Sequence, residues 1–235
     1  MKIEGLFNKA CAEYGLIADG DHILVGLSGG KDSLALIQLL GERSRIYVPR
    51  FRVTALHVRM SEVSYESDTE YLQYFCAQWN IPFIVKQASI GEIRDDKTPC
   101  FLCSWYRRKA LFDTAQELGC NKIALGHHKD DIVETLLMNL IYEGTFGTNP
   151  PKLKMDKMPI EIIRPLCLIP ESALTAYAQE QGYQTQTKVC PFEHETARNE
   201  MKALVRQLEG LNPNVRESIW NAMQNVKTTY LPVRV

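Results

Sequence analysis

Residues Ile23 to Gln38, ILVGLSGGKDSLALIQ, restrict what this chain can fold into more than any other stretch. Ile23, Leu24, Val25 and Leu27 make an apolar run broken only by Gly26, the pattern of a strand buried on both faces. Leu34, Ala35, Leu36, Ile37 and Leu39 open a helix directly after Ser33. The residues between them form a phosphate cradle. Gly29 and Gly30 let the backbone turn sharply and present N–H groups to an anion, Ser28 and Ser33 add hydroxyls, Lys31 adds a mobile positive charge, and the helix start adds its dipole. Polyphosphate is the expected ligand. A Walker A loop is excluded, because Val25 stands where its first Gly belongs and Asp32 follows Lys31; no GxGxxG dinucleotide fingerprint is present either.

The six residues SGGKDS, Ser28 to Ser33, resemble the PP-loop of the ATP-pyrophosphatase superfamily, in which the loop holds the pyrophosphate leaving group while the α-phosphate is attacked. That resemblance implies transfer of AMP to a carbonyl oxygen, which a nucleophile then displaces.

Further strands are expected at Arg50 to Met60, Pro82 to Lys86, Lys122 to Leu125 and Glu161 to Leu168, with helices at Ile3 to Tyr14, Asp68 to Trp79, Ile132 to Tyr142 and Pro170 to Gln181. Strands alternating with helices predict an α/β fold: a parallel sheet of about five strands with helices on both faces and ligands at the carboxyl ends of the strands. The expected layout is an N-terminal helix over 1–20, an ATP-binding α/β domain over 21–168, and a helical C-terminal segment over 169–235 completing that domain. Two further helical runs, Thr196 to Leu208 and Asn214 to Val226, fall in this last segment.

His57, late in the second strand, is in a position to border an adenine pocket, although strand histidines are more often structural. After the fourth strand comes Gly126-His127-His128-Lys129-Asp130-Asp131. Its carboxylates fall in the first turn of a helix, where negative charge is favoured, so capping is one reading. A hold on Mg²⁺ at the ATP phosphates is the other. Residues 144–159, rich in Gly and Pro with Lys152, Lys154 and Lys157, read as a solvated connector or as a contact to a phosphate backbone.

Composition narrows the setting. With 45% hydrophobic and 23% charged residues the chain is an ordinary soluble globular sequence. It lacks an N-terminal apolar leader and any run approaching the roughly 20 apolar residues of a membrane span, so a cytoplasmic location is expected. Net charge is −1, so any positive surface for RNA has to be local. Seven cysteines is an odd number, and in a cytosolic protein a CxxC pair points to metal or redox work more than to a disulfide framework. Cys100 and Cys103 begin a helix, whose N-terminus favours the thiolate. By itself this pair fits a redox couple, half a zinc site or part of an iron–sulfur site. Cys11, Cys76, Cys120 and Cys167 sit in apolar patterns and are expected to be buried.

Taken together, SGGKDS, the PCFLC pair with Arg107 and Arg108, LGHHKDDIVETLLMNLIYEG, the PPK stretch with IIRPL, and the late Cys190 resemble the tRNA 2-thiocytidine synthetase (TtcA) family over roughly Asp21 to Val226. The resemblance implies ATP and Mg²⁺ used to adenylate the C2 oxygen of a tRNA cytidine, at anticodon-loop position 32, with sulfur then replacing AMP. It implies Ser28, Gly29, Gly30, Lys31, Asp32 and Ser33 as the nucleotide loop, with His57, Gly126 and His127 beside the nucleotide. Lys31, Asp130 and Arg107 are the implied catalytic residues, and Cys100, Cys103 and Cys190 the ligands of a 4Fe-4S cluster. Expected partners are tRNA, a separate sulfur donor such as a cysteine desulfurase and a second copy of the chain, with no membrane. Thr187 stands where family members commonly carry a further cysteine. The alternative is another PP-loop tRNA-modifying enzyme, for uridine 2-thiolation or lysidine-type ligation. His194 would then join Cys100, Cys103 and Cys190 in a closed structural zinc site.

Overall fold

A computed structural model of the protein describes residues 2–61, 65–66, 68–90, 99–188 and 197–232. The chain divides into two compact units, Met1–Lys129 with Pro150–His194, and Asp130–Asn149 with Glu195–Val235.

Among the described residues, eight strands belong to the first unit: β1 (His22–Gly26), β2 (Arg52–Met60), β3 (Tyr65–Glu66), β4 (Phe83–Ala88), β5 (Lys122–Ala124), β6 (Lys152–Lys154), β7 (Glu161–Ile163) and β8 (Thr187–Lys188). Its helices are α1 (Ile3–Glu13), α2 (Lys31–Ser44), α3 (Thr69–Gln78) and α4 (Pro99–Glu117). Next in chain order, α5 (Lys129–Met138) belongs to the second unit from Asp130 onward, α6 (Glu171–Glu180) returns to the first, and α7 (Ala197–Leu211) and α8 (Val215–Gln224) complete the second.

The main sheet runs β4-β2-β1-β5-β7-β6. Five strands are parallel, as the apolar runs predict, and β6 adds an antiparallel edge against β7. That edge lies inside the stretch read as a connector. Its Lys152 bonds Glu161 at 3.2 Å and the Gly15 carbonyl at 3.1 Å, so this lysine serves the sheet. From β1 the chain builds outward through β2 and β4, then returns to place β5 and β7 on the other side. Such a reversal opens a crevice at the carboxyl ends of β1 and β5.

Leu24, Leu56 and Ile123 from three neighbouring strands form the core with Ala115, Cys120 and Ile160. Helix α2 is buried from Ser33 to Gly41. Its Gln38 donates to Tyr177 of α6 at 2.8 Å and accepts from Tyr183 at 2.7 Å, fixing α2 between sheet and α6. Cys11, Cys76, Cys120 and Cys167 are all buried, and burial pushes their thiols up to about 12, 12, 11 and 12. Small apolar fillers is the role that leaves them.

In the second unit α5 begins at Lys129, three residues before the expected start, and closes in a π-helical turn, Asn139–Glu143, stopped by left-handed Gly144. Helix α7 buries Met201 and Val205, and α8 buries Trp220. Among the described residues no helix is long and apolar enough to cross a membrane.

Candidate active site

Ser28 to Ser33 turn from the end of β1 into α2, and Ser33 holds the turn together. Its hydroxyl donates to the Gly30 carbonyl at 2.9 Å and accepts from the Gly29 N–H and the Ser28 hydroxyl, both at 3.1 Å. Gly29 has φ +81°, and a Cβ there would collide with the side chain of Gln186. The Gln186 N–H donates to the Gly29 carbonyl at 3.0 Å, so the segment leading into β8 lies directly on the loop. Gly30 caps α2 without any side-chain hydrogen bond, which leaves the first-turn N–H groups as the donors an anion uses.

Lys31 Nζ lies 2.9 Å from Asp32 and 3.5 Å from Glu171, the first residue of α6. Burial alone would lower its pKa, but the two carboxylates outweigh that and the net shift is upward. The ammonium is thus permanently charged near neutral pH and already held at the loop. Glu171 also lies 4.0 Å from the buried His128.

From the other side of the crevice, Gly126 comes so close to α2 that a Cβ would sit 3.3 Å from the backbone of Asp32 and Ser33. His127 beside it accepts from Arg164 Nε at 3.2 Å. Arg164 is itself buried, and burial pulls its guanidinium down to about 10, still charged at neutral pH. It donates to the Pro150 carbonyl at 2.6 Å. This chain of contacts fixes the His127 ring.

His57 is buried on β2 and its Nδ1–H donates to the Leu27 carbonyl at 2.8 Å, one residue before the loop. Burial, then the positive charges of Arg59 and Arg107, lower its pKa against that bond, so the ring is neutral. Its buried Nε2 has no hydrogen-bond partner among the described residues, making it a bare acceptor. Arg107 of α4 acts on the same ring through its charge.

Cys103 packs with Leu102 and Tyr106 against Met60, the last residue of β2, and Ile90 beyond β4. The first turn of α4 therefore lies at the same carboxyl edge of the sheet as the loop after β1. Cys100 is exposed and Cys103 half-buried. Cys190 and His194 lie outside the described residues, and among those described no three His, Cys, Asp or Glu side chains converge as a metal set.

Asp130 and Asp131 are found in the first turn of α5, within the second unit. Asp130 is paired with Arg216 of α8, and Asp131 with Arg198 of α7. Arg216 also donates to Glu209 at 2.7 Å. Sequence reading assigned no role to Glu171, Gln186, Arg164, Arg198 or Arg216. Arg164 lies in the quoted IIRPL block, and Glu171 reads only as an acid starting a helix; the others carry no local signal.

A parallel sheet with an SGGKDS turn at its switch point defines a nucleotide-binding α/β protein of the PP-loop type, and the PP-loop domain family matches residues 2–208. The tRNA-cytidine(32) 2-sulfurtransferase of Alkalilimnicola ehrlichii is 34% identical over 236 residues, covering 98% of this chain and 74% of the relative. That of Sorangium cellulosum is 36% identical over 234 residues, covering 98% and 83%. In fold, the chain is similar to the U34-tRNA thiolase NcsA from Methanococcus maripaludis, solved with its 4Fe-4S cluster. The TM-score is 0.79 at 24% identity, over 99% of this chain and 80% of that one. The chain belongs to the PP-loop family and, within it, to the tRNA 2-thiocytidine synthetase family.

Proposed function

We propose that this protein uses ATP to adenylate the C2 oxygen of a tRNA cytidine, at position 32 as in its relatives' name, and exchanges that oxygen for sulfur. The observation that supports the reading is that the SGGKDS loop follows the carboxyl end of β1 while Cys103 packs at the carboxyl end of the neighbouring β2. ATP would lie with its phosphates on Gly29, Gly30 and the N–H groups opening α2. Lys31 would exchange its carboxylate partners for the β- and γ-phosphates and stabilise departing pyrophosphate, a step governed by positioning and electrostatics. The bare Nε2 of His57 can accept from an exocyclic amine such as that of adenine. Gly126 and His127 would close the nucleotide's other side, and Arg107 would face the reacting phosphate.

Asp130 is the proposed catalytic carboxylate and Mg²⁺ ligand on the strength of its place in the GHHKDD motif. Cys100 and Cys103 stand three residues apart, hence on one helix face, at an accessible edge, which suits two ligands of a 4Fe-4S cluster. Cys190 would be the third. Such a cluster, when bound, supplies a free iron position for inorganic sulfide. A separate donor, such as a cysteine desulfurase, would provide that sulfur.

Lys31→Ala should abolish tRNA-dependent AMP formation, whereas Cys103→Ser should keep ATP binding and lose thiolation. Nucleoside mass spectrometry of cells with and without the gene checks the product: unchanged 2-thiocytidine overturns the reading. Iron, acid-labile sulfide and zinc assays on anaerobically purified protein check the metal. One zinc without sulfide would exclude the cluster.

A further inference from the structure

The amino edge of the sheet, opposite the nucleotide loop, has its own chemistry. Residues 43–52, RSRIYVPRFR, carry four arginines and no carboxylate, a local concentration in a chain of net charge −1. Arg45, Arg50 and Arg52 are exposed and Arg43 is half-buried. Among the described residues none of the four has a carboxylate within ion-pair distance. Two carboxylates lie close by and are engaged by other groups: Asp19 accepts the backbone N–H of Arg50 at 2.8 Å, and Glu42 accepts from Gln38 at 3.0 Å.

The arginines are also held in place. Arg45 lies over the Trp79 ring at 4.8 Å and donates to the Gln78 carbonyl at 3.0 Å, while Arg50 lies over Tyr47 at 4.1 Å. Stacking fixes the guanidinium planes and leaves their edges as fork-like donors, the geometry that suits phosphate. Beside Arg45 opens a cleft of about 550 Å³ lined by Arg45, Arg52, His22, Phe51, Trp79 and Asn80. Burial first, and then the charge of Arg52, lower the pKa of the neighbouring His22.

We infer that this edge is a second RNA-contact surface, on which Arg43, Arg45, Arg50 and Arg52 bind backbone phosphates of the substrate tRNA away from the base being modified. The inference rests on the reading that tRNA is the substrate. Charge complementarity chooses the occupant: four unpaired cations spread along a ten-residue segment match a polymer of phosphates, not one isolated anion. Exposed Tyr47 and half-buried Trp79 add surfaces on which an unpaired base can stack. Along β2, roughly 25 Å separates this edge from the nucleotide loop, less than the span of a folded tRNA, so one RNA can reach both.

The test is tRNA binding by fluorescence anisotropy across a salt series, with wild type, Arg52→Gln and Arg45→Gln/Arg52→Gln. Arg52 is exposed and its side chain makes no hydrogen bond among the described residues, so its replacement is expected to keep the fold, with ATP binding as the check. The double variant should bind full-length tRNA roughly tenfold more weakly near physiological salt and lose about two from the log–log salt slope. ATP affinity and binding of an isolated anticodon-loop oligonucleotide should not change. An unaltered affinity and slope for full-length tRNA overturns the inference. So does an equal loss for AMP and for tRNA, which would make the cleft a mononucleotide site. Wild-type protein that binds tRNA in this arginine-dependent way but never thiolates it would sink the proposed function and leave the surface standing; thiolating protein whose variants bind as wild type does the reverse.

Discussion

At Gly29 two constraints fall on a single residue: a left-handed backbone and a side chain, that of Gln186, lying where a Cβ would go. An alanine in that conformation costs about 1–2 kcal/mol before any collision, and Gln186 would have to leave the loop. Gly29→Ala should therefore weaken ATP binding by about tenfold or more in calorimetry and lower the melting temperature by only a few degrees, roughly 2–4 °C per kcal/mol of strain. Unchanged affinity would mean the SGGKDS turn is not where the phosphates sit. The turn itself was readable in the sequence because its requirements are local: glycines for the backbone, Lys31 for charge, an apolar run on either side. Its neighbours were not. Glu171 stands 140 residues from Lys31, and Gln186 reaches Gly29 through a two-stranded sheet, β3 with β8, too short to leave any pattern. His57 shows an intermediate case, since its strand was legible but the bond that fixes its tautomer to Leu27 was not.

Among whole elements the same split between local and distant information holds. Five parallel strands announced themselves as apolar runs, whereas β6 is KLK, an exposed edge whose lysines protect it from further pairing and whose sequence looks like loop. In the sequence the start of α5 is hidden because His128, Lys129, Asp130 and Asp131 are polar, yet the structure buries or pairs each of them. The partners of Asp131 and Asp130 come from α7 and α8, and nothing in the GHHKDD motif foretells Arg198 or Arg216. Arg216 illustrates the energetics: burial opposes its charge, but Glu209 and Asp130 outweigh that and push its pKa upward. Removing it leaves the buried Asp130 carboxylate without that cation, and because Arg216 is partly solvated the lower end of the usual penalty applies. Arg216→Gln should cost about 2 kcal/mol in urea unfolding. Asp130→Asn/Arg216→Gln should cost less than the two single changes summed. Strict additivity would show that the pair contributes nothing to holding α8 on α5.

For the molecule as a whole, His57, His22 and Asp21 set how stability depends on pH on the acid side, and all three penalise acid. His57 and His22 both have pKa values lowered first by burial, so the folded chain keeps them neutral. Below the unfolded value of about 6.5 the unfolded chain takes up protons that the native state refuses, and stability falls as pH drops from there toward the folded values. Asp21 acts lower down. Burial would raise its pKa, but Lys122 at 2.7 Å, the Ala18 N–H and the Asn121 amide reverse that, so the net shift is downward. Its contribution is complete above the unfolded value of about 3.9 and is lost as pH falls through the depressed folded one. Acid unfolding should therefore come in two steps, a shallow decline in melting temperature beginning near pH 6.5 and a steeper one below about pH 4. His22→Asn/His57→Asn should flatten the first step and leave the second, and Asp21→Asn should do the opposite at some cost in stability at neutral pH. A double-histidine variant that loses melting temperature between about pH 6.5 and 5 as steeply as wild type would show that the two rings are protonated in the folded protein after all, and with that the neutral acceptor assigned to His57 would go.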